Sequence, residues 1–149
     1  NKKKFLSTYK KFINETSFML KKIGVNINTV PVLDLKKKGS SSIIGNRAYS
    51  EDPKINSIIG NFCIKHFQNK KIGTVIKHIP GHGSAKVDSH KFTPKVNLKL
   101  SYLIKNDFFP FKKKLSYFAM TGHIIFSNID NKNTVTHSKK VIRYIRKKI

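Results

Sequence analysis

The stretch Gly73 to His90, GTVIKHIPGHGSAKVDSH, gathers the residues of this chain whose types and spacing could do chemistry. Lys77 and His78 close an apolar run, His82 sits between Gly81 and Gly83, and Asp88 stands two residues before His90. Clustered histidines raise the question of a metal. His78 and His82 have the i, i+4 spacing of helical zinc ligands, but Pro80, Gly81 and Gly83 forbid a helix between them. No metal and no cofactor is expected. GHGSAK has its glycines at the wrong spacing for a phosphate-binding loop and lacks the Lys-Ser/Thr ending.

The pair Asp88 and His90 is more telling. In an extended segment, residues two apart point the same way. The carboxylate can then accept a bond from one imidazole nitrogen and leave the other free for proton transfer, fixing the tautomer and stabilising the imidazolium. A histidine held this way is a good general acid/base. The plainer alternative is that the two residues brace a loop. Few other carboxylates are available: Glu15 and Asp107 read as surface residues of helical stretches, Asp52 as a helix cap, and Asp34 as a hydrogen-bonding residue at a strand end. No pair of catalytic carboxylates stands out.

These residues need a scaffold, and the hydrophobic pattern supplies one. Residues 5–24 carry Phe5, Tyr9, Phe12, Ile13, Leu20 and Ile23 at helical spacing, and Gly24 stops the helix. Residues 25–35, VNINTVPVLDL, suit a buried strand, and residues 36–42 a loop. A second helix spans residues 52–68, capped by Asp52 with Pro53 in its first turn. Residues 73–79 form a second strand. Residues 100–116 are helical in parts and broken at Pro110. Residues 117–126 form a third strand, and residues 138–149 a third helix with Val141, Ile142, Ile145 and Ile149 on one face. Strands alternating with helices mean βαβ units and a parallel sheet, either doubly wound or part of a (β/α)-barrel. Both folds gather chemistry at the carboxyl ends of strands. Here those ends carry Asp34, Lys77 with His78, and His123.

The chain has 149 residues, the size of one domain and long enough for a real core. Its single cysteine, Cys63, excludes a disulfide framework, reads as a small buried apolar residue and fits a reducing, cytoplasmic setting. The formal net charge of +24 invites a nucleic-acid reading. The lysines are spread along the chain with abundant asparagine and isoleucine, as biased base composition would give, and no aromatic nucleic-acid motif accompanies them. Neither nucleic acid nor membrane is an expected partner. No apolar run approaches the roughly 20 residues of a membrane span. The basic start NKKKFL lacks an apolar stretch long enough for a signal peptide and lacks an initiator methionine, so the chain reads as a fragment.

KHIPGHGSAKVDSH resembles the signature of bacterial β-N-acetylhexosaminidases of glycoside hydrolase family 3, the peptidoglycan-recycling type, which reads Lys-His-Phe-Pro-Gly-His-Gly, a short loop, then Asp-Ser-His. GVNINTVPVLDL, IGNRAYSEDP and FAMTGHIIFSNID are similar to further stretches of that family in the same order. The resemblance implies the central portion of a (β/α)8 TIM-type barrel, with residues 1–149 forming one partial barrel domain truncated at both ends. It implies that His90 is the general acid/base and Asp88 its dyad partner, and that Arg47, Lys77 and His78 hydrogen-bond the sugar beside the scissile bond. Ile79, Asn46 and Ser84 depart from the family pattern, which has Phe, Asp, and Asp or an equivalent there.

The implied activity is that of a retaining exo-β-N-acetylglucosaminidase acting on small muropeptide-type sugars. The full-length protein is expected to be a monomer. The aspartate nucleophile of such an enzyme lies in a Ser-Asp-Asp strand beyond the last helix of this sequence. Two other readings compete with this one. The chain is an inactive barrel piece, binding anionic polymer through its charge, or it is a nucleic-acid binder with steeply salt-dependent affinity.

Overall fold

The computed structural model of the chain describes residues 2–39 and 42–149. The loop expected over residues 36–42 lies partly outside the described residues, at Ser40 and Ser41.

The first helix, α1 (Lys2–Lys22), lays Ile13 against Cys63, Phe67 and Ile72. Gly24, at φ 78°, ends it as the spacing predicts, and the Val25 amide closes back on the Leu20 carbonyl at 2.8 Å. Helix α2 (Pro53–Asn69) starts where the sequence places it: an Asp52 carboxylate oxygen accepts the amides of Lys54 at 2.7 Å and Ile55 at 3.4 Å. Its inner face, with Ile64 in the middle, packs against Leu33, Ile76, Ile79 and Phe111. Helix α4 (Lys139–Lys148) begins at Ser138, whose hydroxyl accepts the Val141 amide at 3.1 Å. Val141 is buried, and Ile142, Ile145 and Ile149 lie against the same core as Phe108 and Phe126.

The strands are parallel. The central one, β2 (Gly73–Ile79), pairs with β1 (Ile27–Asn28) on one side and with β4 (Phe118–Thr121) on the other, giving the order β1-β2-β4. A second parallel pair joins β3 (Lys95–Val96) to β5 (Ile125–Phe126). Between β3 and β4 run α3 (Leu100–Lys105) and a single 3-10 turn at Phe109–Phe111 that holds Pro110. This mixed α/β arrangement of parallel strands with intervening helices is part of a barrel wall. Ile27, Phe118 and Met120 stand exposed on it.

Two expected strands differ from the pattern. The stretch 25–35 ladders with β2 only at Ile27–Asn28 and again around Val32, because Pro31 has no amide to give. The Lys77 amide bonds the Pro31 carbonyl at 3.2 Å, and the Leu33 amide bonds the Lys77 carbonyl at 2.8 Å. The stretch 117–126 is two strands. It leaves β2 where the Gly122 amide bonds the Ile79 carbonyl at 3.0 Å, and it joins β3 where the Ile125 amide bonds the Pro94 carbonyl at 2.9 Å.

Asn56 locks the end of the 32–35 segment from α2. Fully buried, it donates its side-chain amide to the carbonyls of Leu33 at 3.3 Å and Asp34 at 3.1 Å. Asn56→Leu keeps the volume and removes both donors. It is expected to cost about 1–3 kcal/mol in urea unfolding. An unchanged midpoint would mean that Asn56 does not hold this segment.

Candidate functional site

Asp34 is the centre of the site. It follows the strand-like residues Val32 and Leu33 and is fully buried. Its carboxylate accepts the His78 amide at 3.2 and 3.3 Å, the His78 ring Nδ1 at 2.6 Å and the His82 amide at 2.6 Å. An ionised carboxylate only accepts, so Nδ1 of His78 carries a proton and Nε2 is the ring's remaining polar atom. The predicted role of Asp34 as a strand-end acceptor agrees with this geometry.

Lys77 and His78 sit where the pairing of β2 with β4 shifts register, between Lys77 and Ile79. The Lys77–His78 and Ile79–Pro80 peptides are cis, as is Val30–Pro31. The loop beyond is packed against backbone on both sides. Gly81, at φ 140°, has room for no side chain, since a Cβ there would stand 2.5 Å from the Asp107 carbonyl oxygen. A Cβ on Gly83 would stand 2.7 Å from the Leu35 carbonyl oxygen.

Lys77 donates to the Thr29 hydroxyl at 3.1 Å. Burial, and then the nearby Arg47 guanidinium, pull its ammonium below the usual lysine range. Arg47 ends a one-turn 3-10 helix, Gly45–Arg47, and donates to the Ile43 carbonyl at 2.6 Å. His90 and Asp88 are bonded as a pair: one Asp88 oxygen accepts the His90 amide at 2.8 Å and His90 Nδ1 at 3.0 Å. The His90 amide, with help from the ring, holds the Asp88 carboxyl below its usual range.

The predicted extended segment at 88–90 is a turn. The amides of Lys91 and Phe92 fold back on the Asp88 carbonyl at 3.1 and 2.9 Å. Aspartate favours this because its side chain bonds its own backbone two residues on. The pair is also more open than a buried dyad: the His90 side chain is 81% exposed.

Arg47, Lys77, His78 and His90 line one cleft of about 450 Å3, together with His82, Ser89 and His123. Asp88, bonded to His90, is not itself in the lining. The lining includes no carboxylate among the described residues. Another hollow, of about 410 Å3 between α1 and α2, is walled by apolar residues such as Phe5 and Ile55 and has no charged group in its lining. Among the described residues, no three His, Cys, Asp or Glu side chains gather as metal ligands would.

Sequence reasoning misplaced Asp107, passed over Lys37, and weighed His82 only as a metal ligand. Asp107 is not a surface residue of a helical stretch: it is buried and takes Lys37 Nζ at 2.6 Å and the Ser84 hydroxyl at 3.0 Å. Lys37 comes from a lysine run that reads as solvated, so nothing local marks it. His82 is 3% exposed, and its Nε2 meets the Ser89 hydroxyl at 3.0 Å.

Residues 7–149 match the model described as the Glycosyl hydrolase family 3 N terminal domain. The chain belongs to that family. It is 30% identical over 120 residues to β-hexosaminidase A of Pseudoalteromonas piscicida, covering 78% of this chain and 20% of that protein. Among solved structures it is similar to a family 3 β-N-acetylglucosaminidase from Paenibacillus sp. str. FPU-7, with 28% identity and a TM-score of 0.78, over 82% of this chain and 24% of the other. It is also similar to NagZ from Neisseria gonorrhoeae in complex with N-trifluoroacetyl-D-glucosamine, with 27% identity and a TM-score of 0.71, over 78% and 35%. The chain spans a fifth to a third of the length of the first curated relatives it matches.

In this family 3 chain, burial pushes the His82 imidazole below its usual range, against the pull of the Asp34 carboxylate. His78 and Asp88 also act on it, more weakly. The unfolded chain takes up a proton at His82 near pH 6.5, and the folded chain only at lower pH. Between the two values the unfolded state binds more protons. The stability that neutral His82 supports is therefore full above about pH 6.5 and falls as the pH drops through the lowered folded value. His82→Gln is expected to flatten this acid limb of Tm against pH. An unaltered slope would assign the limb to another group.

Proposed function

We propose that the protein is a retaining exo-β-N-acetylglucosaminidase that removes terminal N-acetylglucosamine from small muropeptide-type substrates, in a cytoplasmic setting. The observation that carries this reading is the single cleft lined by Arg47, Lys77, His78 and His90, whose His90 ring is bonded to Asp88. The likeness to β-hexosaminidases, and to a NagZ structure that holds an N-acylated glucosamine, supports the substrate class.

Arg47 and Lys77 offer fixed donors to sugar hydroxyls, and His78 a ring whose orientation Asp34 sets. His90 protonates the leaving oxygen in the first step, and the anomeric carbon passes to a nucleophile. In the second step His90 removes a proton from the attacking water, and the sugar leaves the nucleophile. Asp88 orients the ring and stabilises its charged form. The nucleophile is an aspartate outside residues 1–149, in keeping with a lining that has no carboxylate among the described residues. Ordinary retaining enzymes use two carboxyl groups, and here the histidine takes the place of one.

Two measurements test this. The 149-residue chain by itself is expected to leave aryl N-acetyl-β-D-glucosaminides uncleaved, while the intact protein cleaves them. Turnover by the chain alone would remove the outside nucleophile. In the intact protein, His90→Ala is expected to cost about 100- to 10,000-fold in kcat for poor leaving groups, about 3–5 kcal/mol of barrier. It should cost much less for activated aryl substrates, and azide should restore part of the rate. Asp88→Ala should lose less. Equal losses across the leaving-group series, with no azide response, would mean that His90 and Asp88 only brace the turn.

A further inference from the structure

We propose that His82 is a positioning residue, a buried tether that sets where the turn carrying Asp88 and His90 stands over the cleft. Its importance for catalysis rests on the acid/base reading of His90. The tether itself does not.

Two neighbouring segments differ sharply in how they are held. Residues 81–83 are fixed. The His82 amide is donated to Asp34 at 2.6 Å, and the glycines on either side lie so close to the carbonyls of Asp107 and Leu35 that neither could carry a side chain without displacing backbone. Residues 86–92 are loose by comparison: Lys86, Val87, His90, Lys91 and Phe92 are all exposed, and the bonds of Asp88 stay within the turn. Among the described residues, the bond between His82 Nε2 and Ser89 Oγ, 3.0 Å, is the one hydrogen bond from residues 86–92 to the rest of the chain. Ser89 lies between the two members of the proposed dyad. Fixing its side chain fixes the chain direction on both sides.

The ring's own bonding points the same way. His82 Nδ1 is buried and has no partner. A buried N–H without an acceptor is rarer in proteins than a bare lone pair, so the proton sits on Nε2 and is donated to Ser89. That bond is the one hydrogen bond the ring makes to another residue among the described residues. A histidine buried only to fill space would not need it.

The test uses the intact protein with His82→Ala, His82→Gln, Ser89→Ala and the double variant His82→Ala/Ser89→Ala. Glutamine keeps an N–H near the position of the ring's Nε2. Two readouts are taken: hydrogen exchange of the amides of residues 86–92, and kcat and KM across a leaving-group series. Loss of one such hydrogen bond is expected to raise exchange in the turn about threefold to tenfold. The rise should be the same for both alanine variants and no larger in the double variant, while exchange in β2 is unchanged. kcat should fall by a similar factor for poor leaving groups only, with KM little altered, and His82→Gln should restore most of both. Additive effects in the double variant, an unmoved turn in Ser89→Ala, or a glutamine variant no better than alanine would overturn the tether. Ser89→Ala removes only a hydroxyl, so it decides the matter even where His82→Ala fails to fold. A parent protein that cleaves no glycoside would sink the enzymatic reading, and the exchange data would still decide the tether.

Discussion

A buried carboxylate must be paired. Taking an ionised Asp34 out of water costs several kcal/mol unless donors replace the lost solvent. Asp34 meets that demand with three N–H groups, the amides of His78 and His82 and the His78 ring. Meeting it ties together the segment after β1, the end of β2 and the Pro-Gly-His-Gly loop. It also accounts for a geometry that a regular strand would forbid. Lys77 and His78 are consecutive, so strict alternation would send them to opposite faces of the sheet, yet both line the same cleft. The break in register between Lys77 and Ile79 is what permits this. Irregularities of this kind commonly re-aim side chains beside functional sites. Here the Asp34 carboxylate holds His78 in its altered direction.

What could be read from the sequence was local. The Asp52 cap, the stop at Gly24, the apolar face of α4 and the Asp88–His90 spacing all depend on residues within one or two turns of each other. What could not be read depends on partners far along the chain. Asp107 lies in KNDFFPF, which looks like the exposed end of a helix, and its partner Lys37 is 70 residues away. Asp34 was recognisable as an acceptor at a strand end, but its donors lie 44 and 48 residues downstream. The run 117–126 is apolar on both sides of Thr121, Gly122 and His123, and only that short interruption hints that it changes partner from β2 to β3 halfway. β3 itself is two residues long and carries no pattern at all.

The departure at Ser84 shows how such a network adapts. The resemblance noted in the sequence implies an aspartate or an equivalent residue at this position. Here the Ser84 hydroxyl donates to Asp107 at 3.0 Å and accepts from Lys37 at 2.7 Å. The Lys37 ammonium also bonds Asp107 directly at 2.6 Å and lies 5.1 Å from the centre of the Tyr102 ring. A second carboxylate at position 84 would crowd Asp107 with like charge over a single ammonium. A neutral hydroxyl that both donates and accepts links the two without that repulsion. The loop therefore keeps its anchor to the segment after Asp34, with the negative charge supplied by Asp107.

The charge imbalance of this chain has its own logic at the cleft. Of seven carboxylates, Asp34, Asp52, Asp88, Asp107 and Asp130 are each engaged by N–H or O–H donors of nearby residues. Glu15 and Glu51 are exposed. None of the seven is in the cleft lining, so Arg47 and Lys77 face each other there without an acidic partner in that lining. Most lysines elsewhere sit in water, where salt screens their fields within about 10 Å. Their number says little about what binds. Lys77 differs because it is partly desolvated and its ammonium has the Thr29 hydroxyl as its one hydrogen-bond partner among the described residues. A ligand rich in hydroxyl, acyl or carboxylate oxygens supplies the acceptors that burial has taken away. On the proposed glycosidase reading, what the cleft would favour follows from these two cations in its lining, and the net charge of +24 comes from lysines spread along the chain.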